Sequence, residues 1–236
     1  MANTYVAKTV IVAGGTGALG RAVSEAFLRE GATVVATYRN EAEFQSFTGA
    51  LGGETRARLA GEQVDVTDEA AVRRLVDGVV RKHSRIDALV NAVGGYAGEI
   101  KLWETESALL DRMLALNLRP LHALARAVVP EFLKQGHGAI VNVAARTALD
   151  PPAGSSAYAA SKAGVLAMAQ SLAAELSGTG IRVNSILPRI IDTPANRKAM
   201  PKANFAKWTT PEKIAEVILF LCSDAAAAVH GAALPV

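Results

Sequence analysis

Tyr158 and Lys162 stand four positions apart in the run Tyr158-Ala159-Ala160-Ser161-Lys162. Residues 163–176 are rich in Ala, Leu and Met and free of proline, so they read as helix. On a helix, positions i and i+4 share a face, and the phenol and the ammonium then project to one side. An ammonium beside a phenol stabilises the phenolate and lowers the phenol's pKa. A tyrosine tuned in this way gives or takes a proton near neutral pH, which a free tyrosine does poorly. A lone Tyr-x-x-x-Lys is common by chance and equally fits an exposed aromatic with a solvated lysine one turn on. Its weight depends on what else the chain brings to the same place.

A second constellation is Gly14-Gly15-Thr16-Gly17-Ala18-Leu19-Gly20, which follows a β-branched run at 9–13 and precedes helical residues 21–30. In a strand–turn–helix context, glycines let the backbone approach a pyrophosphate, and the helix N-terminus offers free N–H groups. A second strand at 33–37 runs into Tyr38-Arg39. In a dinucleotide-binding fold that end meets the adenosine ribose. An acid there accepts from a free 2′-hydroxyl, whereas an arginine suits a 2′-phosphate. With Arg39 present and no acid at Tyr38, NADP(H) is expected over NAD(H); the plainer reading is a solvated loop charge.

The elements that must hold these residues alternate. Residues 40–61 read as a helix and a polar connection, 63–66 as a third strand ending at Asp65-Val66, and 68–82 as a helix. Residues 86–90 read as a fourth strand running into Asn91-Ala92-Val93-Gly94-Gly95. A long helical stretch covers 106–131, with Pro120 set to loosen it beside Asn117. A fifth strand at 139–143 precedes the 158–176 helix, a sixth strand covers 181–187, and a last helix at 211–224 leads to a short strand ending at Val236. Strands and helices in strict alternation, with short connections, predict an α/β chain: a Rossmann-like, doubly wound parallel sheet flanked by helices, one domain over 1–236. Ligands of such sheets sit at the carboxyl ends of the strands, where the Gly14 turn, Arg39, Asp65 and Asn91 all fall.

Taken together, these motifs resemble the short-chain dehydrogenase/reductase family from about residue 9 to 231. Gly14 and Gly20 match the family's glycine motif, while Ala13 and Ala18 replace its Thr and middle Gly; Asn91-Ala92-Val93-Gly94 stands for its Asn-Asn-Ala-Gly. The resemblance implies that Thr16, Gly17, Leu19, Asp65 and Val66 also contact the cofactor, and that Pro188, Ile191 and Thr193 do so from the turn after the sixth strand, where Arg189 replaces a Gly. It implies Tyr158 as general acid, Lys162 as its partner and as a ribose ligand, and Asn117 as support for a water relay. The family's catalytic serine would stand thirteen residues before the tyrosine, where this chain has Ala145. Losing one donor to a developing oxyanion can lower a rate by about 10²–10³. Alanine at that position, Gly94–Gly98 and the 192–201 run also resemble the dihydropteridine reductase branch, which reduces a quinonoid pterin. Phe205 and Trp208 then become candidates to line a flat substrate. Two readings follow: an oxidoreductase moving hydride to or from a carbonyl or imine, pterin- or quinone-like compounds included, or a catalytically weak or inactive dinucleotide-binding protein.

Composition narrows the partners. The 236 residues carry a net charge of only +3 with no basic run, which argues against nucleic acid. No apolar run reaches membrane-spanning length and no signal pattern opens the chain, so no membrane partner and a cytoplasmic location are expected. Cys222 is the only cysteine, in keeping with a reducing compartment. The four histidines lack metal-ligand spacing, so no metal is expected. The resemblance, with the small residues Ala159, Ala160, Ala163, Gly164 and Ala167, implies a homo-oligomer, dimer or tetramer.

Overall fold

The structure, a computed structural model, describes residues 4–236. Seven strands run along the chain: β1 (Thr9–Ala13), β2 (Thr33–Tyr38), β3 (Leu59–Gln63), β4 (Ala88–Asn91), β5 (Gly138–Val143), β6 (Ile181–Leu187) and β7 (Ala233–Pro235). The helices are α1 (Ala18–Arg29), α2 (Glu41–Gly49), α3 (Gly53–Ala57), α4 (Glu69–His83), α5 (Ser107–Asn117), α6 (Arg119–Gln135), α7 (Ser156–Glu175), α8 (Pro194–Ala199) and α9 (Pro211–Cys222). All strand pairs are parallel, in the order β3-β2-β1-β4-β5-β6-β7. The chain winds outward one way through β2 and β3, then returns past β1 to β4 and onward. That reversal opens a crevice above the carboxyl ends of β1 and β4.

Both faces of the sheet are covered, which is why its inner strands read as continuous apolar runs rather than alternating ones. On one face Ile11, Leu89 and Ile140 meet Val72 and Val76 of α4, Leu121 and Leu124 of α6, and Val165 of α7. On the other, Val10, Val12, Val90 and Val141 meet Val23 and Phe27 of α1 and Ile214 and Ile218 of α9. Neighbouring residues of one strand thus serve opposite cores, as the two-residue period of a strand requires.

Several boundaries differ from the sequence reading, each for a local reason. The third strand is Leu59–Gln63, not 63–66. It is the sheet edge, so Glu62 and Gln63 remain exposed and the apolar signal is weak. Gly61 is where the Phe44 ring lies on the strand: a Cβ there would fall within 2.4 Å of three ring atoms. Asp65 and Val66 consequently lie in the loop beyond β3, still at its carboxyl end. The 106–131 stretch is two helices meeting at Leu118, the break beside Asn117 that Pro120 foretold. The second of them continues through Pro130 to Gln135 and ends at Gly136, whose φ is +72°. Helix α1 begins at Ala18, so the last three residues of the glycine run form its first turn. The short helix α8 and the 3-10 turn Phe205–Lys207 lay unmarked in the sequence reading.

Candidate active site

The glycine turn is clamped to β2. The Gly14 N–H donates to Thr37 Oγ1 at 3.0 Å, the Gly15 N–H to the Thr37 carbonyl at 2.9 Å, and the Gly17 N–H to the Gly14 carbonyl at 3.1 Å. Gly14 has φ +74°, and a Cβ on Gly20 would lie 2.0 Å from the Gly14 carbonyl oxygen. Only glycine closes this turn on the helix. Gly17 caps α1 with no side-chain bond, so the first N–H groups of the helix, at Ala18, Leu19 and Gly20, have no partner within it. They form a ready seat for an anion.

A cleft of about 250 Å³ extends from this turn. Gly14, Thr16, Gly17, Tyr38, Arg39, Asp65, Val66, Ala92, Val93 and Gly94 of the expected cofactor set line it. Ala18, Leu19 and Gly20 lie behind its wall in α1, and Asn91 is buried at the end of β4, its Oδ1 accepting from the Val93 N–H at 3.3 Å. Asp65 accepts from the Thr67 N–H at 2.9 Å and hydroxyl at 2.8 Å, which holds its carboxyl below the usual range; Arg39 adds a smaller pull in the same direction. The Tyr38 ring stacks on Phe44 at 4.6 Å, and its hydroxyl donates to Glu41, a bond that pushes the phenol up to about 12. Beyond the expected cofactor set the cleft is also lined by Thr37, Asn40, Glu43, Val64, Thr67 and Leu116, and two of these bear on its chemistry. Thr37 anchors the turn, and Glu43 places a carboxylate in the cleft with Arg39, where it accepts from the Thr16 hydroxyl at 3.1 Å. The signal for Glu43 was there: it lies four residues past Arg39 on the next helix.

The proton-handling group lies at the β4–β5 end. Asn117 is 1% exposed and bridges three elements. Its Oδ1 accepts from the Gly95 N–H at 2.9 Å, and its Nδ2 donates to the Gly95 carbonyl at 3.1 Å and to Ser161 Oγ at 2.9 Å. Ser161 in turn donates to the Tyr158 carbonyl at 2.7 Å. One side chain therefore ties α5 to the loop after β4 and to the turn of α7 that bears the tyrosine. Ser161 was a member of the quoted motif whose role spacing alone did not expose.

Lys162 departs from expectation. Its Nζ donates to the Val143 carbonyl at 2.9 Å, on the end of β5, and the side chain is 4% exposed. Burial pushes its ammonium down to about 8. The Tyr158 phenol is pushed up to about 12, first by burial and then by the Tyr96 phenol, and Lys162 does not offset this. The spacing argument predicted a lowered phenol; the facing direction holds, but the lysine dips under the helix to β5 instead of standing beside the ring. Tyr96, half of whose ring faces outward, meets Tyr158 edge-to-face at 5.0 Å. Gly94 leaves the space above this cluster open: a Cβ there would lie 2.8 Å from Asn117 Oδ1 and 2.9 Å from Lys162 Nζ.

Ala145 is buried at the start of the 3-10 turn Arg146–Ala148, and no hydroxyl occupies its place. Pro188 ends β6's course and accepts from the Arg146 N–H at 2.9 Å. Ile191 bridges to Thr209, and the Thr193 hydroxyl caps α8 by accepting from the Asn196 N–H at 3.2 Å. These three stand outside the cleft, on a segment that leaves β6 and returns at Thr209. On it Phe205 and Trp208 sit 4.9 Å apart, with Arg197 4.8 Å over the Phe205 ring. Among the described residues, no group of three or more His, Cys, Asp or Glu is arranged to hold a metal, and no helix is long and apolar enough to cross a membrane.

Known proteins resemble this chain in sequence and fold. A family profile described as Enoyl-(Acyl carrier protein) reductase matches residues 14–236. The chain is 34% identical over 232 residues to a 3-oxoacyl-[acyl-carrier-protein] reductase of Thermotoga maritima, covering 95% of this chain and 94% of that one. It is 36% identical over 239 residues to D-threitol dehydrogenase of Mycolicibacterium smegmatis, covering 96% and 90%. The structure of a short-chain type dehydrogenase/reductase from Mycobacterium ulcerans superimposes with a TM-score of 0.92 at 26% identity, covering 99% of this chain and 89% of that one.

Proposed function

The chain belongs to the short-chain dehydrogenase/reductase family of oxidoreductases, and on that premise we propose that it transfers hydride between NADP(H) and a carbonyl or imine carbon of a small molecule. The residues present fit a dinucleotide. The unpaired N–H groups opening α1 receive its pyrophosphate, Asp65 and Val66 its adenine, and Arg39 its 2′-phosphate. Bound there, the nicotinamide supplies or accepts the hydride.

The rest is the work of this chain's side chains. In reduction Tyr158 donates its phenol proton to the oxygen or nitrogen that gains the electron pair. A phenol held up to about 12 is fully protonated at neutral pH, the state a donor needs. Lys162 lies below it as a buried cation, and by family resemblance holds the ribose and draws the phenol down once engaged. Asn117 and Ser161 fix the turn carrying Tyr158, and Asn117 supports the proton relay. Pro188, Ile191 and Thr193 hold the nicotinamide end. What supports this reading most is that buried Lys162 and half-buried Tyr158 on α7 lie at the carboxyl end of the sheet, where Lys162 reaches the end of β5 beside Gly94 of the cleft that opens from the glycine turn.

Ala145 supports a finer choice: a conjugated substrate, such as a quinonoid pterin or quinone, whose charge spreads over several atoms and needs no single donor. The same alanine also favours the second reading, a dinucleotide-binding protein with little turnover. Glu43, a carboxylate in the ribose end of the cleft, favours NAD(H) as the alternative cofactor. Self-association is supported by Ala160 and Ala167, small residues exposed on α7, and a cytoplasmic location by the buried, unpaired Cys222.

Oxidation of NADPH and NADH, followed in the presence of ketones, quinones and quinonoid dihydropterin, separates these readings. Turnover is expected on at least one class, with Tyr158→Phe lowering it about 10²-fold and leaving the cofactor dissociation constant nearly intact. Full turnover in Tyr158→Phe, or cofactor binding with no turnover on any class, would overturn the catalytic reading.

A further inference from the structure

The turn between β5 and α7 carries a cation with nothing to balance it. Arg146 directly follows Ala145. Its Nε is shielded from solvent and finds no acceptor, and no carboxylate among the described residues pairs with its guanidinium. Asp150 donates its N–H to the Arg146 carbonyl at 3.1 Å, but its exposed carboxylate makes no ion pair with it. Buried donors in folded proteins are nearly always matched, and a half-buried arginine with a shielded, unmatched Nε fits an acceptor that arrives from outside.

The backbone fixes where this cation stands. The Arg146 N–H donates to the Pro188 carbonyl at 2.9 Å, which ties the turn to the end of β6, and the turn rests on α7, the helix of Tyr158. Arg39 ends β2, and β5 is three strands further across the sheet. Three strand spacings are about 14 Å, so Arg146 is remote from the 2′-phosphate seat. The glycine turn, which seats the pyrophosphate, lies at β1, two strands from β5. Arg146 therefore stands at the ends of β5 and β6, away from both phosphate seats and against the helix of Tyr158.

A second observation points the same way. Residues 189–210, a segment that follows β6 and closes on itself where Thr209 bridges to Ile191, carry Arg189, Arg197, Lys198, Lys202 and Lys207 against Asp192 alone. That is an excess of four cations in a chain whose net charge is +3. Arg197 already occupies the one carboxylate, at 2.6 and 2.7 Å. A basic segment beside the substrate end draws in anions, and a planar guanidinium below it grips an oxyanion with two parallel bonds.

We propose that Arg146 is a specificity-determining residue that receives an oxyanion group, carboxylate or phosphate, carried by the substrate. The inference rests on the hydride-transfer reading above for the position of the reacting carbon. It makes the substrate an acidic carbonyl or imine compound, with its anionic arm directed past Ala145, where a serine would otherwise stand.

Matched pairs test it: a keto acid against its methyl ester, and a phosphorylated hydroxyketone against its unphosphorylated form, each with NADPH. In the parent protein the charged member of one pair is expected to have a kcat/KM about 10-fold or more above its neutral partner. Arg146→Gln should bring that ratio close to one and Arg146→Lys should restore part of it. The ratio is internal to each protein, so a general loss of activity cancels. The pair that shows it identifies the anion. A ratio near one in both pairs of the parent, or one that Arg146→Gln leaves unchanged, overturns the proposal. Should no compound turn over, hydride transfer to these carbonyls fails as a reading, and calorimetric titration with the same four compounds decides the anion site by itself. Tighter binding of a charged compound than of its neutral partner, lost in Arg146→Gln, sustains the site; equal or absent binding sinks it.

Discussion

Replacing Asn117 by Ala removes one side chain from the interior, three hydrogen bonds to oxygen or nitrogen partners and a weak one to Met113 Sδ. The partners left behind differ. The Gly95 N–H and carbonyl are only partly buried, so water reaches them and each loss is near the lower end of about 1–3 kcal/mol. Ser161 is fully buried, keeps its own donation to the Tyr158 carbonyl, and loses the N–H that Asn117 gave it. The sum is about 2–4 kcal/mol, which for a chain of this length lowers Tm by about 5–15 °C. Asn117→Asp is an instructive companion: it keeps an acceptor for the Gly95 N–H but sets a carboxylate oxygen against the Gly95 carbonyl, and should be no more stable than the alanine variant. Calorimetric melting and urea unfolding measure both, alongside kcat. A variant that melts within about 2 °C of the parent while losing turnover would show that the bridge contributes little to stability and that Asn117 acts in the chemistry alone.

Three further outcomes can be checked. NADP(H) should bind more tightly than NAD(H), with Arg39→Leu removing most of the preference, about 10- to 100-fold, and Glu43→Gln increasing it; equal dissociation constants in the parent would refute this. Lys162, held near 8 against its usual 10.5, binds its proton less tightly folded than unfolded. Its burial penalty is therefore fully present below pH 8 and fades as pH rises, so the stability of the parent relative to Lys162→Met should climb by about 2 kcal/mol between pH 8 and 9.5 in urea unfolding. The buried Cys222 thiol, pushed up to about 12, acts in the opposite sense from about pH 9, but it does so in both proteins and cancels in that difference; the raised phenols of Tyr5 and Tyr158 do so only above pH 10. Ala145→Ser should raise kcat/KM on simple ketones, which develop a localised oxyanion, and leave it unchanged on a conjugated substrate; a large gain on the conjugated one would refute the account of the missing serine.

Much of the architecture was legible because a doubly wound sheet repeats one rule. The central strands β1, β2 and β4 are mostly apolar, β5 and β6 interleave Asn142, Arg182 and Asn184 with apolar residues, the turns that follow are glycine-rich or polar, and the helices carry their own period. The rule weakens at the edge, where β3 need not be apolar on both faces, and there the reading moved the strand four residues toward the more conspicuous Val64–Val66. Pro120 was readable as a break because its effect is local and steric. The stretch read to 131 already passes Pro130, and the structure carries it four residues further, to Gln135, with Val128 and Phe132 packed in the core.

Ten of the expected cofactor residues line one cleft while Pro188, Ile191 and Thr193 stand outside it, and the couplings between residues were less legible still. A four-residue spacing states that Tyr158 and Lys162 face one way, yet it does not state how deep each goes. Depth is decided by what lies under α7: the Val143 carbonyl at the end of β5 and, above it, a glycine at 94 that leaves the lysine room. Lys162 takes the carbonyl, and Tyr158 is left to burial and to Tyr96. The tyrosine is thus held protonated, which suits proton donation and opposes proton removal. Contacts that depend on two distant segments, such as Thr37 under Gly14 or Glu43 beside Thr16, leave no periodic trace either. They follow from the sheet order, and the sheet order had to be seen before they could be found.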